Sequence, residues 1–253
     1  MHKLSAVIIT YNEEDRILPT LESVKWCDEI VVVDSGSTDK TVDFCKKYDN
    51  CKVYEQSFLG FGEQKRFAVE KASNDWILSI DADEVVSESL KNEIIAILKQ
   101  PVIDASGFYV PITMVFMNKI FKYGSENKFP HIRLFNKVNG GFNTLSLHEN
   151  VKIDGKVLKL KNEVLHYCYR DIAHYLEKFN KYSSIYANKS LKKGKTPGKF
   201  KPIVALPWEF FRQYFIRLNM MNGYPGFVWS VFSAFYTYVK YTKRYETYLK
   251  NHS

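Results

Sequence analysis

Asp81 and Asp83 stand one residue apart in Ser79-Ile80-Asp81-Ala82-Asp83-Glu84, directly after the apolar run Trp76-Ile77-Leu78. A buried strand that ends this way delivers two carboxylates to the rim of a parallel sheet, where α/β proteins bind ligands. Such a rim suits Mg2+ or Mn2+, which take hard oxygen ligands, use one or two protein carboxylates, and leave other positions to water and substrate phosphates. A metal–diphosphate site is the chemistry implied. The competing reading makes Asp81, Asp83 and Glu84 loop and helix-start residues ahead of Ser87, since acidic groups favour a helix's first turn.

The elements that must position these carboxylates alternate strand and helix over the first hundred residues. Leu4 to Thr10 reads as a buried strand, Glu13 to Trp26 as a helix with Ile17, Leu18, Leu21 and Val24 on one face, and Glu29 to Asp34 as a second strand. Ser35-Gly36-Ser37-Thr38-Asp39 makes a turn and cap before a helix over Thr41–Tyr48, followed by a short strand Lys52–Tyr54. A helix over Gly62–Ala72 precedes the strand from Asp75 to Ile80. This alternation implies right-handed crossovers and a mostly parallel, doubly wound α/β sheet. From Gly107 strands and irregular loops take over, with runs at Phe108–Ile112, His131–Phe135 and Val164–Tyr167. They read as the second half of the same domain, building an acceptor side. A helix from Asp171 to about Leu191 follows.

The chain of 253 residues is 45% hydrophobic and 15% aromatic, ample for a core, so disorder throughout is excluded. Cys27, Cys45, Cys51 and Cys168 form no C-x-x-C pair, and Met1 leads almost directly into a strand-like run. A reduced, cytoplasmic protein is the expectation. The formal charge is +8, and no Asp or Glu occurs from Lys178 to Lys201. This excess fits nucleic acid, an anionic membrane surface or a phosphorylated acceptor, or simply a solvated face.

Val7-Ile8-Ile9-Thr10-Tyr11-Asn12-Glu13, Val31-Val32-Val33-Asp34-Ser35-Gly36-Ser37-Thr38-Asp39 and Ile80-Asp81-Ala82-Asp83-Glu84 together resemble the inverting family-2 glycosyltransferases of GT-A fold. The order and spacing of three motifs make this far more specific than one Asp-x-Asp. Leu147-His148-Glu149, with Phe210-Phe211-Arg212-Gln213-Tyr214-Phe215 through Gly223-Tyr224-Pro225-Gly226-Phe227, is similar to the branch containing bacterial lipopolysaccharide core β-1,4-glucosyltransferases. The resemblance implies transfer of a hexose, foremost glucose from UDP-glucose, to a heptose of the lipopolysaccharide inner core through a β-linkage. A polyprenyl-linked glycan or a protein is the alternative acceptor.

The resemblance also implies roles. Thr10, Tyr11 and Glu13 line the nucleotide end, Asp34 accepts the uracil N–H, and Lys65, rather than Arg66, reaches the phosphates. Asp83 ligates the Mg2+ or Mn2+ beside Ala82, Asp81 either joins it or contacts ribose or metal-bound water, and His166 either completes that site or is a satisfied structural residue. Asp39 carries less weight, since it also suits a helix's first turn. Inversion needs a carboxylate opposite the departing UDP to take the acceptor proton. Glu149 is the first candidate, with Glu84 and Asp154 as alternatives. His148 orients Glu149 or contacts the acceptor, and Arg133 grips a phosphate or makes a structural salt bridge. A nucleic-acid-binding module would use the lysines but leaves the three strand-end motifs unexplained, so no nucleic acid partner is expected. A catalytically silent nucleotide-sugar binder is a further rival.

These readings divide the chain into a GT-A domain over 1–191 (nucleotide-sugar half about 1–105, acceptor half about 106–191), a basic linker 192–202, and an aromatic helical extension 203–253. Residues 204–219 suit an amphipathic helix at a bilayer surface. Residues 220–239 carry no charge, yet Asn222, Gly223, Pro225 and Gly226 interrupt them and leave a short helix from about Phe227. Peripheral attachment to the anionic cytoplasmic face of the inner membrane is favoured, where a lipid-linked core oligosaccharide acceptor would lie. Burial against protein, including a homo-oligomer mate, is the second reading, and spanning the third.

Overall fold

A computed structural model of the chain describes residues 1–143, 151–192, 198 and 200–251. Leu147, His148 and Glu149 lie outside the described residues. In chain order the elements are β1 (Leu4–Thr10), α1 (Ile17–Val24), β2 (Glu29–Asp34), α2 (Thr41–Cys45), β3 (Cys51–Glu55), α3 (Phe61–Lys71), β4 (Trp76–Asp81), β5 (Glu84–Val86) and α4 (Glu88–Leu98). There follow β6 (Gly107–Phe116), β7 (Lys119–Ile120), β8 (Phe129–Asn136), β9 (Gly140–Phe142), β10 (Val151–Ile153), β11 (Val157–Lys159) and β12 (Val164–His166). The chain ends in α5 (Ile172–Lys192), α6 (Lys201–Phe211), a π-helical turn (Arg212–Ile216), a 3-10 turn (Asn219–Asn222) and α7 (Tyr224–Lys250).

The chain folds as two compact units, residues 1–113 with 128–167, and residues 114–127 with 168–253. This differs from the division expected from sequence. The long helix α5 groups with the C-terminal helices because its aromatic stripe pairs with theirs: Tyr175 stacks on Phe232 at 4.9 Å and Phe179 on Phe235 at 5.5 Å.

In the first unit the sheet order is β3-β2-β1-β4-β8-β6-β12-β5. The strands from β3 to β4 run parallel, whereas β8 pairs antiparallel with β4 and β6 antiparallel with β8. The sheet is therefore parallel where helices cross over and largely antiparallel where the sequence loses its helices after residue 106, with β11 pairing parallel to β6 as the exception. Strands β1, β2 and β4 are buried on both faces, which their near-continuous Val, Ile and Leu runs require. Leu4, Ile8, Ile17, Leu21, Ile30 and Leu78 are among the residues filling one face, while Val7, Val31, Val33, Ala68 and Ile77 pack on the other. Ser87 caps α4, its Oγ accepting from the Leu90 N–H at 3.2 Å. Helix α1 starts at Ile17, not Glu13, and the backbone N–H groups of Glu13 and Glu14 donate to Thr41 and Asp39 across the neighbouring loop.

One buried carboxylate ties the amino ends of the strands. Glu29 accepts from Ser5 Oγ (2.6 Å), Ser73 N (2.7 Å) and Ser73 Oγ (2.8 Å), and pairs with Lys52 Nζ at 2.8 Å. Burial opposes its charge, but Lys52 and these donors outweigh it and hold the carboxyl at about 2.

In the second unit Met114, Phe116, Phe121, Tyr175 and Trp229 form an aromatic core. The Gly-Tyr-Pro-Gly stretch does not interrupt the last helix; it starts it. Gly223, at φ +70°, ends the preceding turn, Pro225 sits in the first helical turn, and at Gly226 a Cβ would lie 1.9 Å from the Asn219 carbonyl oxygen. Among the described residues no helix is long and apolar enough to cross a membrane.

The Glu29 carboxylate generates a test. Glu29→Gln is expected to cost about 2 kcal/mol at neutral pH. A group whose folded pKa is depressed contributes stability above its unfolded value and loses it on protonation, so the deficit should close as pH falls from 4.5 to about 2. Thermal unfolding across that range checks it, and a pH-independent deficit contradicts it.

Candidate active site

Parallel register brings three strand ends to one rim. Thr10 pairs with Asp34 on one side of β1, and Ile9 with Asp81 on the other. Asp34 and Asp81 thus flank β1, two strand spacings or about 10 Å apart.

At the β2 end, Asp34 Oδ2 accepts from Gly36 N at 2.9 Å and Ser37 N at 2.7 Å, while Ser37 Oγ donates to Oδ1. Ser37 Oγ in turn accepts from Asn12 N at 2.8 Å, and Asn12 Oδ1 from Thr38 N at 2.9 Å. Asn12 adopts φ +52°, a left-handed conformation that Asn tolerates. The loops after β1 and β2 are thereby laced into one ledge, on which Tyr11 lies 57% exposed while the Thr10 hydroxyl is buried without a hydrogen-bond partner. Asp39 belongs to this lacing, accepting from Glu14 N and Thr41 N.

At the β4 end the acidic run meets basic groups from four separate elements. Asp81 pairs with Lys65 Nζ of α3 at 2.8 Å and with Arg133 of β8 at 2.9 Å. Arg133 also binds Glu84, which is fully buried and accepts from Asp81 N at 3.0 Å. Burial works against the charge on Asp81, but Arg133 and Lys65 hold its carboxyl far below the usual range. Glu84 is pushed up by burial, with Arg133 opposing. Asp83 lies 3.2 Å from Arg16 and its Oδ1 is 3.4 Å from His166 Nε2. Burial again opposes charge there, and His166, with Arg16, keeps the carboxyl low. Register explains the histidine: β12 pairs with β5 so that His166 faces Glu84, and Tyr167 N donates to the Asp83 carbonyl at 2.9 Å.

Several expectations are sharpened or changed by this geometry. Lys65 is buried against Asp81 instead of standing free for phosphates, whereas Arg66 pairs with Glu63 and Glu70 on the outer face of α3. Arg133 makes the structural salt bridge of its two readings. Glu84, sealed against Arg133, has no access to an acceptor hydroxyl, and Asp154 lies exposed beyond β10, its N–H bonded to the Asn139 carbonyl. Ala82 is buried in the turn, its carbonyl accepting from Thr20 Oγ1 at 2.9 Å. Arg16 was not singled out by any motif. It grips Glu13 through two bonds, reaches Asp83, and donates to the Tyr167 carbonyl at 3.0 Å. Its only trace in the sequence is the i,i+3 spacing from Glu13.

Among the described residues no group of three or more His, Cys, Asp and Glu side chains is arranged to hold a metal. Asp83 and His166 supply a hard oxygen and an imidazole nitrogen on partly open side chains, a donor pair that fits a divalent cation completed by phosphates and water. Asp81 fits less well, since both its oxygens face cations. An open cavity of about 750 Å3 beside Trp76 and Asn74 lies at the opposite end of β4 from these carboxylates, so it is not the ligand rim.

The model for glycosyl transferase family 2 matches residues 5–150. The chain belongs to that family. It is 36% identical to an uncharacterized glycosyltransferase of Rickettsia felis, over 99% of this chain and 92% of the relative. It is 30% identical to the lipopolysaccharide core biosynthesis glycosyltransferase LpsC of Rhizobium meliloti, over 96% of this chain and 92% of that protein. Among solved structures, the mannosyltransferase PcManGT of Pyrobaculum calidifontis, in complex with GDP-Man and Mn2+, superposes with TM-score 0.53 at 15% identity, covering 96% of this chain and 87% of that one. This family-2 glycosyltransferase therefore has the GT-A fold, and the ledge and acidic run lie where α/β folds take their ligands.

If Arg133 chiefly neutralises Asp81 and Glu84, Arg133→Met should lower stability by about 3 kcal/mol, the cost of stranding a buried charge. Differential scanning calorimetry reads this as a lower midpoint. An unchanged midpoint would mean that Arg133 is spare.

Proposed function

We propose that this glycosyltransferase transfers a hexose, foremost glucose from UDP-glucose, to a heptose of the lipopolysaccharide inner core with formation of a β-linkage. The observation that carries the donor reading is the flanking of β1 by Asp34 and Asp81, whose roughly 10 Å separation suits a nucleobase at one end and a diphosphate at the other. Asp34, fixed by its own loop, keeps acceptor capacity for the uracil N–H, and the exposed Tyr11 ring offers a stacking face. The full-length likeness to LpsC supports the core acceptor.

Asp83 and His166 would hold the Mg2+ or Mn2+, which when bound supplies charge stabilisation for the departing UDP. Arg16 and His166 keep Asp83 ionised and fix its direction. Lys65, beside Asp81 at the same rim, adds positive charge near the diphosphate. Glu149 takes the acceptor proton as the hydroxyl oxygen attacks the anomeric carbon from the face opposite UDP.

Attachment to the anionic cytoplasmic face of the inner membrane completes the reading. Ile203, Val204, Trp208, Phe211, Phe215 and Ile216 are 45–67% exposed on α6 and the turn after it. Between Lys178 and Tyr245 the chain has thirteen Lys and Arg and a single acid, Glu209, which is buried against Arg212. A second copy would meet this surface with like charge, whereas an anionic bilayer complements it.

Incubation with a panel of UDP- and GDP-hexoses and truncated core acceptors is expected to give transfer from UDP-glucose that is abolished by chelator and lowered at least about 100-fold by Glu149→Gln. Preferred use of a GDP-sugar, or full activity of that variant, contradicts the assignment. In flotation assays, Trp208→Ser with Phe211→Ser should release the protein from phosphatidylglycerol vesicles; unchanged flotation rules out this face.

A further inference from the structure

Within the helical unit, α5, α6 with its π-helical turn, and α7 surround a cavity of about 550 Å3, the size of a small-ligand site. Its walls are rings: Tyr169, Tyr175, Tyr182, Tyr186, Tyr236 and Trp229. Its charged groups are Lys178, Lys189, Lys240, Arg212 and Glu209. Arg212 and Glu209 satisfy each other through Nε and Nη2 at 2.6–3.0 Å, with Gln213 Nε2 donating to Glu209 at 2.8 Å. Three lysines are left without a carboxylate among the described residues.

One buried donor in this lining lacks an acceptor, and one ammonium meets ring faces. Trp229 is 9% exposed, and its indole N–H is buried without a hydrogen-bond partner. The Lys240 ammonium lies over the rings of Tyr186, Tyr236 and Tyr241 at 5.2–5.4 Å, and burial draws its pKa down while Glu209 opposes. Ring faces attract the cation but accept none of its N–H bonds in the manner of an oxygen. An acyl chain in the cavity would leave these donors unpaired, at about 1–3 kcal/mol each. The complement is a ligand with apolar ring faces and anionic oxygens. Sugar rings present C–H faces to aromatic walls, and a phosphate ester supplies oxygens to the lysines.

We propose that this cavity binds a phosphorylated sugar of the acceptor glycolipid, its ring against the tyrosines and its phosphate at Lys240 with Lys189 and Lys178. The identity of the ligand rests on the core-acceptor reading; the chemistry of the cavity does not. Helix α6 and its π-helical turn fit the role, since Glu209 and Gln213 face the cavity while Trp208 and Phe211 are exposed.

Calorimetric titration of the full-length protein with phosphorylated, deacylated core oligosaccharide, with the same material after phosphatase, with glucose 6-phosphate and with inorganic phosphate tests this directly. The phosphorylated oligosaccharide should bind at least about tenfold more tightly than the dephosphorylated form, as charge-assisted bonds require. Lys240→Gln should erase that preference, Trp229→Phe should weaken both forms several-fold, and inorganic phosphate should bind weakest. Asp83→Ala should leave all of this unchanged. Equal binding of the two forms, a preference that survives Lys240→Gln, or displacement by phosphatidylglycerol vesicles overturns the proposal. Lys240-dependent binding of glucose 6-phosphate without binding of core oligosaccharide would retain the phosphosugar cavity and reject the core acceptor.

Discussion

Three carboxylates within four residues, at the end of a strand buried on both faces, must be neutralised. Asp81, Asp83 and Glu84 repel one another in a region with little water, and Glu84 has no exposure at all. The fold answers with Lys65 from α3, Arg133 from β8, Arg16 from the turn before α1, and His166 from β12. Elements far apart in sequence thus converge on one point, and the antiparallel half of the sheet supplies two of the four groups. On the proposed reading, a divalent cation bound with a nucleotide-diphospho-sugar would add nearly no net charge, so the balance would survive binding. That gives a physical reason for a basic cage around an acidic motif.

The strand and helix order through Asp81 was legible because β1, β2 and β4 are apolar on both faces and α1 shows one apolar stripe, whereas the short strand β5 has too few residues to declare a period. Gly-Ser-Thr-Asp after β2 also declared its turn, and Ser87 its cap. Arg133 and Arg16 were harder to read. Each reaches the acidic run across 49 or more residues of chain, and no local pattern records such a contact. Lys65 meets Asp81 at the rim, and that burial depends on the pitch of α3 over the sheet, which no local pattern records. The stretch 147–150, which carries the proposed base, lies outside the described residues.

The C-terminal third shows where composition misleads. An uncharged run from Met220 to Val239 suggested a surface segment broken by Gly and Pro, whereas these residues begin a helix that packs rings against α5. The exposed apolar residues lie mostly earlier, on α6 and the turns after it. Aromatic density thus serves both an internal core and an outward face, and only burial tells them apart. Between Lys178 and Tyr245 the one acid, Glu209, is consumed by Arg212, so that stretch carries a strong excess of positive charge.

The central claim is that the acidic run at the end of β4 forms a metal-dependent nucleotide site through Asp83. Calorimetric titration of UDP into the protein with Mn2+, with chelator, and into Asp83→Asn with Mn2+ tests it most directly. The account predicts that UDP affinity falls at least about tenfold when either the metal or the carboxylate is removed, and no further when both are. Undiminished UDP binding by Asp83→Asn in chelator would contradict it.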